Sequence, residues 1–342
     1  MSQPSEEPFE QTNVRPIEQV ILVSSPKAGT GAHRDQLPVL HQMLTDAGIR
    51  SVQTTSIDEL KRCLDDGPSL RSNPFGSVVV AAGGDGTLSL VASHVAADVP
   101  LVPMPLGTEN LLARYYGYRP TAACLFDAIR RGHSYRMDAG RANGKLFLVM
   151  ASCGFDAEVV RGLHLKRRGH INRFSYARPI WRALRRYSFP KIQVDRTTST
   201  VDLTQNADAS ANPQETDSPD TVDDHFTDGE FGWAMVFNLP RYGGGMMIER
   251  DAVGTDGELD LIAFRKRSIA SGLRYVGGVL VQGHTLFSDV LRRRVRTLRL
   301  TSDERVPYQL DGDYAGRLPL TIETLPRRIH LLLPAVDPQQ TR

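Results

Sequence analysis

Two carboxylates flank a glycine in Gln309-Leu310-Asp311-Gly312-Asp313, and an acid on such a turn can act as general base toward a hydroxyl. A second turn, Gly83-Gly84-Asp85-Gly86-Thr87-Leu88, joins three glycines that admit close backbone approach to an acid placed to handle Mg2+ or its water shell. Thr87 there is placed to cap a following helix while facing phosphate. Pro105-Leu106-Gly107-Thr108-Glu109-Asn110 repeats the polar, glycine-containing pattern. In Ser24-Ser25-Pro26-Lys27-Ala28-Gly29-Thr30-Gly31 a small-residue turn offers backbone N–H groups to phosphate oxygens. The stretch 251–260, DAVGTDGELD, has the oxygen density of a hard-cation turn, with Asp251, Asp256 and Asp260. Each motif alone also reads as an ordinary turn, least readily Gly83–Leu88, because Asp-Gly marks hairpins and strand-to-helix links carry glycine. Neither GxxxxGK[ST] nor GxGxxG fits, since Arg34 stands where the second pattern needs Gly. P-loop enzymes and dinucleotide oxidoreductases both lose weight.

The elements that must hold these turns alternate. Val20–Val23, Ser51–Thr55, Ser77–Ala82 and Leu101–Met104 read as strands, with a helix over Thr87–Ala97. The run at Ser77–Ala82 is β-branched and continuous, as in a strand buried on both faces. This rhythm predicts an α/β, doubly wound parallel sheet whose ligands sit beyond the carboxyl ends of the strands, where the turns fall. After Met137 the texture changes to shorter strands at Lys145–Ser152, Gly232–Phe237, Glu258–Phe264 and Arg296–Thr301, expected to be antiparallel. Residues 197–230 hold nine acids and no Lys or Arg, which predicts a disordered insertion.

A length of 342 residues favours two domains, and 40% apolar with 23% charged residues excludes collagen-like and wholly disordered chains. The net charge of +2 gives no global basis for nucleic-acid binding, and none is expected. Cys63, Cys124 and Cys153 are scattered, which suggests thiols kept reduced in a cytoplasm. The polar, acidic N-terminus lacks a signal-peptide pattern, and no apolar run approaches the ~20 residues of a spanning helix. Residues 161–186 contain nine Lys/Arg and no acid, interleaved with Phe174, Tyr176 and Trp181. That composition suits an anionic membrane surface, a solvated basic face, or RNA. The five arginines between Leu291 and Leu300 add to the basic surface.

Taken in order, GGDGTL, PLGTEN, Met137-Asp138-Ala139-Gly140, Ser152-Cys153-Gly154-Phe155-Asp156, Tyr242-Gly243-Gly244-Gly245-Met246, DGELD and LDGD resemble the diacylglycerol kinase catalytic-domain family. That group holds bacterial lipid kinases, with sphingosine and ceramide kinases as relatives and NAD kinases as more distant members. The resemblance implies an N-terminal nucleotide domain over 18–138 and a β-sandwich lipid-substrate domain over 139–325. Residues 1–17 precede both as a disordered N-terminus, the last twenty or so residues are allowed to return to the first domain, and the active site lies in the cleft. It implies ATP and Mg2+ as cofactors. Ser25, Pro26, Lys27, Ala28 and Gly29 would lie on nucleotide phosphates, with Thr55 a looser match. Gly84, Asp85, Gly86, Thr87 and Leu88 would meet ATP, joined by Thr108 and Asn110. Asp85 and Asp138 would share the Mg2+ network. A structural metal would take Asp256 with backbone oxygens of Val253 and Glu258. Asp311 and Asp313 would be catalytic, either one serving as proton acceptor.

Three positions depart from the family pattern: Leu111 stands for Asp, Asp313 for Glu and Ser25 for Asn. The resulting expectation is an ATP-dependent kinase for a hydroxyl of diacylglycerol or a related lipid, peripherally membrane-bound in the cytoplasm, with a homodimer allowed. A soluble-substrate kinase of the NAD kinase type, or a regulator that has lost catalysis, is the alternative.

Overall fold

The computed structural model describes residues 17–24, 33–65, 76–131, 133–164, 187–195, 229–243 and 246–334. Four parallel strands open the fold: β1 (Gln19–Ser24), β2 (Arg50–Thr54), β3 (Ser77–Gly83) and β4 (Leu101–Pro105), in the order β2-β1-β3-β4. Their alternating side chains feed two cores, as a doubly covered sheet requires. Val20, Leu22, Val78 and Val80 pack under α1 (Gln36–Asp46) and α5 (Ala122–Arg131). Ile21, Val23, Val79 and Ala81 face α2 (Ile57–Asp65) and α3 (Asp85–His94). A short α4 (Leu111–Tyr115) follows β4.

The sheet does not stop at β4. It continues through β18 (Leu320–Leu333), whose Leu331 pairs in parallel with Leu101, into β15 (Thr297–Thr301), β8 (Ile192–Asp195) and β9 (Gly229–Phe231). β5 (His133–Ala142) lies antiparallel to β18 and also pairs β6 (Lys145–Phe147). The 138/139 boundary expected from sequence thus falls inside a strand.

A second, six-stranded sheet runs β14 (Val290–Val295), β13 (Leu259–Phe264), β10 (Trp233–Phe237), β7 (Met150–Gly154), β16 (Pro307–Leu310), β17 (Asp313–Arg317). Phe147, Val194, Val236, Leu261, Leu298 and Leu320 fill the space between the two sheets, forming the β-sandwich. On its outer face Met235, Phe237, Ile262 and Phe264 join the core that runs on to α3, and α6 (Phe155–His164) and α7 (Ile269–Leu280) lie in this half. A two-stranded ribbon, β11 (Arg241–Tyr242) with β12 (Met246–Met247), flanks it.

The apolar stretch Lys145–Ser152, expected as one strand, divides into β6 and β7. Its break at Leu148 and Val149 has a cause: their N–H groups leave the ladder for the carboxylate of Asp311. The helix expected over Thr87–Ala97 starts two residues earlier and ends at His94. The Ser25–Gly29 turn, residues 165–186 of the basic segment, most of the acidic 197–230 stretch and residues 1–16 lie outside the described residues. Among the described residues no helix is long and apolar enough to cross a membrane. Cys63, Cys124 and Cys153 are unpaired thiols.

Candidate active site

The carboxyl ends of the parallel strands are level: Val23 is paired with Thr54, Ser24 with Ala82, and Gly83 with Pro105. The turns after β3 and β4 therefore meet. A Cβ built on Gly107 would lie 2.5 Å from the Cα of Gly84, so the two backbones touch and only glycine fits at 107. Asn110, in left-handed conformation at φ 49°, accepts from the N–H of Gly107 and donates to its carbonyl, which fixes the second turn. Thr108 and Thr55 are exposed on the same rim, while the side chain of Leu88 is buried in the core and leaves only its backbone to a ligand.

Asp85 opens α3, directly after β3. Its carboxylate accepts from the N–H groups of Leu111 at 2.9 Å and Leu112 at 3.2 Å, and so caps α4. Leu111 performs this task through its backbone while its side chain enters the core, so the residue that departs from the family pattern still supports the acid. Burial pushes the Asp85 carboxyl up to about 6, with the charge of Asp311 adding and the two N–H groups opposing.

Across the cleft, β16 and β17 form a hairpin whose turn residues Asp311 and Gly312 both have positive φ, 46° and 85°. That is the two-residue turn an Asp-Gly pair favours. The Asp311 carboxylate accepts four hydrogen bonds: from the N–H groups of Leu148, Val149 and Met150 at 2.8–3.0 Å, and from the hydroxyl of Ser89 at 2.8 Å. Ser89 lies one helical turn beyond Asp85, so Asp311 latches the sandwich to α3. Burial raises its pKa, and the backbone N–H groups oppose the rise. Both oxygens are occupied. Asp313 is half-buried, and a Cβ on Gly86 would come within 2.9 Å of its Oδ2. Its carboxylate therefore overlies the first turn of α3.

Behind this turn lies a buried polar cluster that sequence reasoning did not assign a role. Asp156 accepts from the hydroxyls of Ser152 and Tyr242 and from Gln309 Nε2, and Gln309 Oε1 accepts the N–H of Gly312 at 2.7 Å. Burial pushes Asp156 up to about 6. Ser152, Asp156 and Tyr242 fall in two of the motifs that carry the family resemblance, and Gln309 in a third stretch beside LDGD, but nothing in the sequence shows that they meet.

The metal assignments separate. Asp138 is fully buried and accepts from the N–H groups of Gly257 at 2.7 Å and Arg327 at 2.6 Å. Among the described residues no hydrogen bond joins it to Asp85, so it ties β5 to the 251–260 turn and to β18. In that turn Asp256 Oδ1 accepts the N–H of Glu258, and the Val253 carbonyl accepts from Thr255. Arg294 faces Asp256 at 3.9 Å and Asp260 at 3.7 Å, Arg296 faces Glu258 at 3.4 Å, and Arg292 pairs with Glu249 and Asp251. Guanidinium groups thus face the side chains of Asp256 and Glu258, while the expected backbone ligands, the oxygens of Val253 and Glu258, lie in the same turn. The same pairing removes three arginines from the expected basic surface. No cluster of three or more metal-ligating side chains occurs among the described residues. A Mg2+ ion shared with nucleotide phosphates asks only one or two carboxylates of the protein, and Asp85 adjoins the glycine turn.

Strand-end glycine turns thus face a pair of acids borne by the sandwich. The diacylglycerol kinase catalytic domain matches residues 19–142, and the YegS C-terminal NAD kinase β-sandwich-like domain matches residues 149–333. The chain belongs to this bacterial lipid kinase family. It is 24% identical over 267 residues to a diacylglycerol kinase of Bacillus subtilis, covering 77% of this chain and 80% of that one. A diacylglycerol kinase of Staphylococcus carnosus is 21% identical over 318 residues, covering 92% and 94%. The crystal structure of a diacylglycerol kinase from Bacillus anthracis superposes with a TM-score of 0.59 at 17% identity, covering 95% of this chain and 99% of that chain. That likeness establishes the fold.

Proposed function

We propose that this chain transfers the γ-phosphoryl group of ATP to a hydroxyl of diacylglycerol or a related lipid. The observation that carries the reading is the closeness of Asp313 to Gly86, which brings an acid of the sandwich over the phosphate-type turn of the nucleotide domain. The acceptor oxygen forms a bond to the γ-phosphorus as the bond from that phosphorus to the β–γ bridging oxygen breaks. ADP leaves, and the hydroxyl proton passes to Asp313. Asp311, saturated with donors, positions this turn rather than taking the proton. Backbone N–H groups at the start of α3 would face the phosphates, where fixed dipoles cost no reorganisation during reaction. Mg2+, when bound with ATP, neutralises phosphate charge. Asp85 is the carboxylate that would hold it.

Purified protein with labelled ATP and a panel of diacylglycerol, a sphingoid base and NAD tests the assignment. Label in a lipid, lost in Asp313→Asn, is the expected result. Label in NAD alone, or in no acceptor, refutes it.

A further inference from the structure

The outer helix of the sandwich is amphipathic in an unusual sense: it buries one apolar face and exposes another. Tyr275, Val279, Gly272 and Gly278 of α7 face inward. Ile269, Leu273 and Leu280 are separated by four and seven residues, which returns them to a single outward face. With Val281 and Leu286, which follow the helix, these side chains are 46% to 86% exposed. Five large aliphatic groups so close together are more than scattered surface hydrophobics.

The charge around them is one-sided. Residues 261–288 contain Arg265, Lys266, Arg267 and Arg274 and no Asp or Glu. Two acids from outside the run meet three of these cations: Asp289 faces Arg274 and Lys266, and Glu230 faces Arg267 while also pairing with Lys191. Among the described residues a positive excess remains beside the apolar face, at the end where Ile269 begins the helix. An apolar stripe bordered by cations matches the boundary between anionic headgroups and acyl chains.

The face is also joined to the active site. Tyr275 packs on Phe264 at 4.7 Å between ring centroids, Phe264 on Trp233 at 4.5 Å, and Trp233 on Phe155 at 5.6 Å. Phe155 begins α6 and precedes Asp156, whose cluster holds the Gly312 turn. Helix and catalytic turn thus belong to one packed body.

We propose that α7, with Val281 and Leu286, is the element by which the protein docks on an anionic lipid bilayer. The choice of partner rests on the lipid acceptor of the proposed function. The test is flotation of the full chain with vesicles of phosphatidylglycerol and phosphatidylcholine, comparing wild type with the double variant Leu280→Glu, Leu286→Glu. Partition of the variant is expected to fall about tenfold or more, since two aliphatic insertions are replaced by charges of the wrong sign. Its melting temperature and its phosphorylation of a short-chain, water-soluble diacylglycerol are expected to stay at the wild-type values. In a separate protein, Leu280→Trp is expected to give a blue-shifted emission on adding vesicles. Wild-type protein that does not bind, a double variant that partitions like wild type, or a tryptophan that does not respond would each overturn the proposal. So would a double variant that only converts a dimer to a monomer, because the face would then belong to a second copy. Helix-dependent vesicle binding without phosphorylation of any lipid would uphold the docking and refute the acceptor.

Discussion

Replacing Asp311 with alanine separates building the site from performing its chemistry. The carboxylate accepts from three backbone N–H groups, of Leu148, Val149 and Met150, and from the Ser89 hydroxyl. Alanine withdraws the partner from all of them, at about 1–3 kcal/mol for each group that water cannot reach. Burial already holds this carboxyl above its ordinary range, so removing it recovers part of that loss. Alanine at a φ of 46° adds about 1 kcal/mol of backbone strain. The net expectation is destabilisation by at least about 3 kcal/mol, as when a buried charge network is broken. Asp313→Asn is isosteric and half-buried, and is expected to change stability by less than about 0.5 kcal/mol. Turnover should nevertheless fall about 10²–10⁴-fold with loss of the proton acceptor. Urea unfolding, followed by fluorescence of the buried Trp233, measures the first effect, and labelled-ATP turnover measures the second. An Asp311→Ala protein that unfolds at the wild-type urea concentration yet does not turn over would mean that Asp311 acts on the substrate. The division of labour between the two acids would then be wrong.

Asp85 and Asp156 both sit at about 6 against an ordinary 3.8, so the fold holds their protons more tightly than the unfolded chain does. Their contribution to stability is full below about pH 4 and is lost as pH climbs through about 6, at ~3 kcal/mol per group. Asp156→Asn should shrink the stability difference between about pH 4 and pH 7 by that amount in thermal melts, and an unchanged slope would refute the burial argument. EDTA should leave the melting temperature of nucleotide-free protein within about 1 °C, because Arg294 and Arg296 already face Asp256 and Glu258. A drop of several degrees would show that a metal bound in this turn carries part of the stability. Gly107→Ala should cost about 1–3 kcal/mol and weaken nucleotide affinity, since its Cβ would overlap the Gly84 backbone. Wild-type stability in urea would show that the two turns do not touch.

The nucleotide-type half was legible because its signals are local. Continuous β-branched runs ended in glycine turns, and β1, β3 and β4 fall within a residue or two of where those runs place them. What escaped the sequence depends on partners distant along the chain. The break at Leu148 and Val149 comes from an acid more than 160 residues away. The arginines of β14 read as free positive charge, because nothing local reveals that Glu249, Asp251, Asp256 and Asp260 lie beside them. Ser89 was missed although it follows Asp85 by one helical turn, a spacing that marks a shared face. The outward apolar stripe of α7 was invisible for a different reason: periodicity reports that a helix has apolar faces, not which of them is covered.

The position of β18 has a consequence for how the polypeptide assembles. The outer edge of β4 stays unpaired until a strand 230 residues later reaches it, Leu331 beside Leu101. During synthesis, a largely complete nucleotide-type layer must therefore wait with a bare hydrogen-bonding rim, a state prone to mispairing with other chains. Closure of so long a loop makes this strand a candidate for the slow step of folding, and a late point of vulnerability for chaperones to guard.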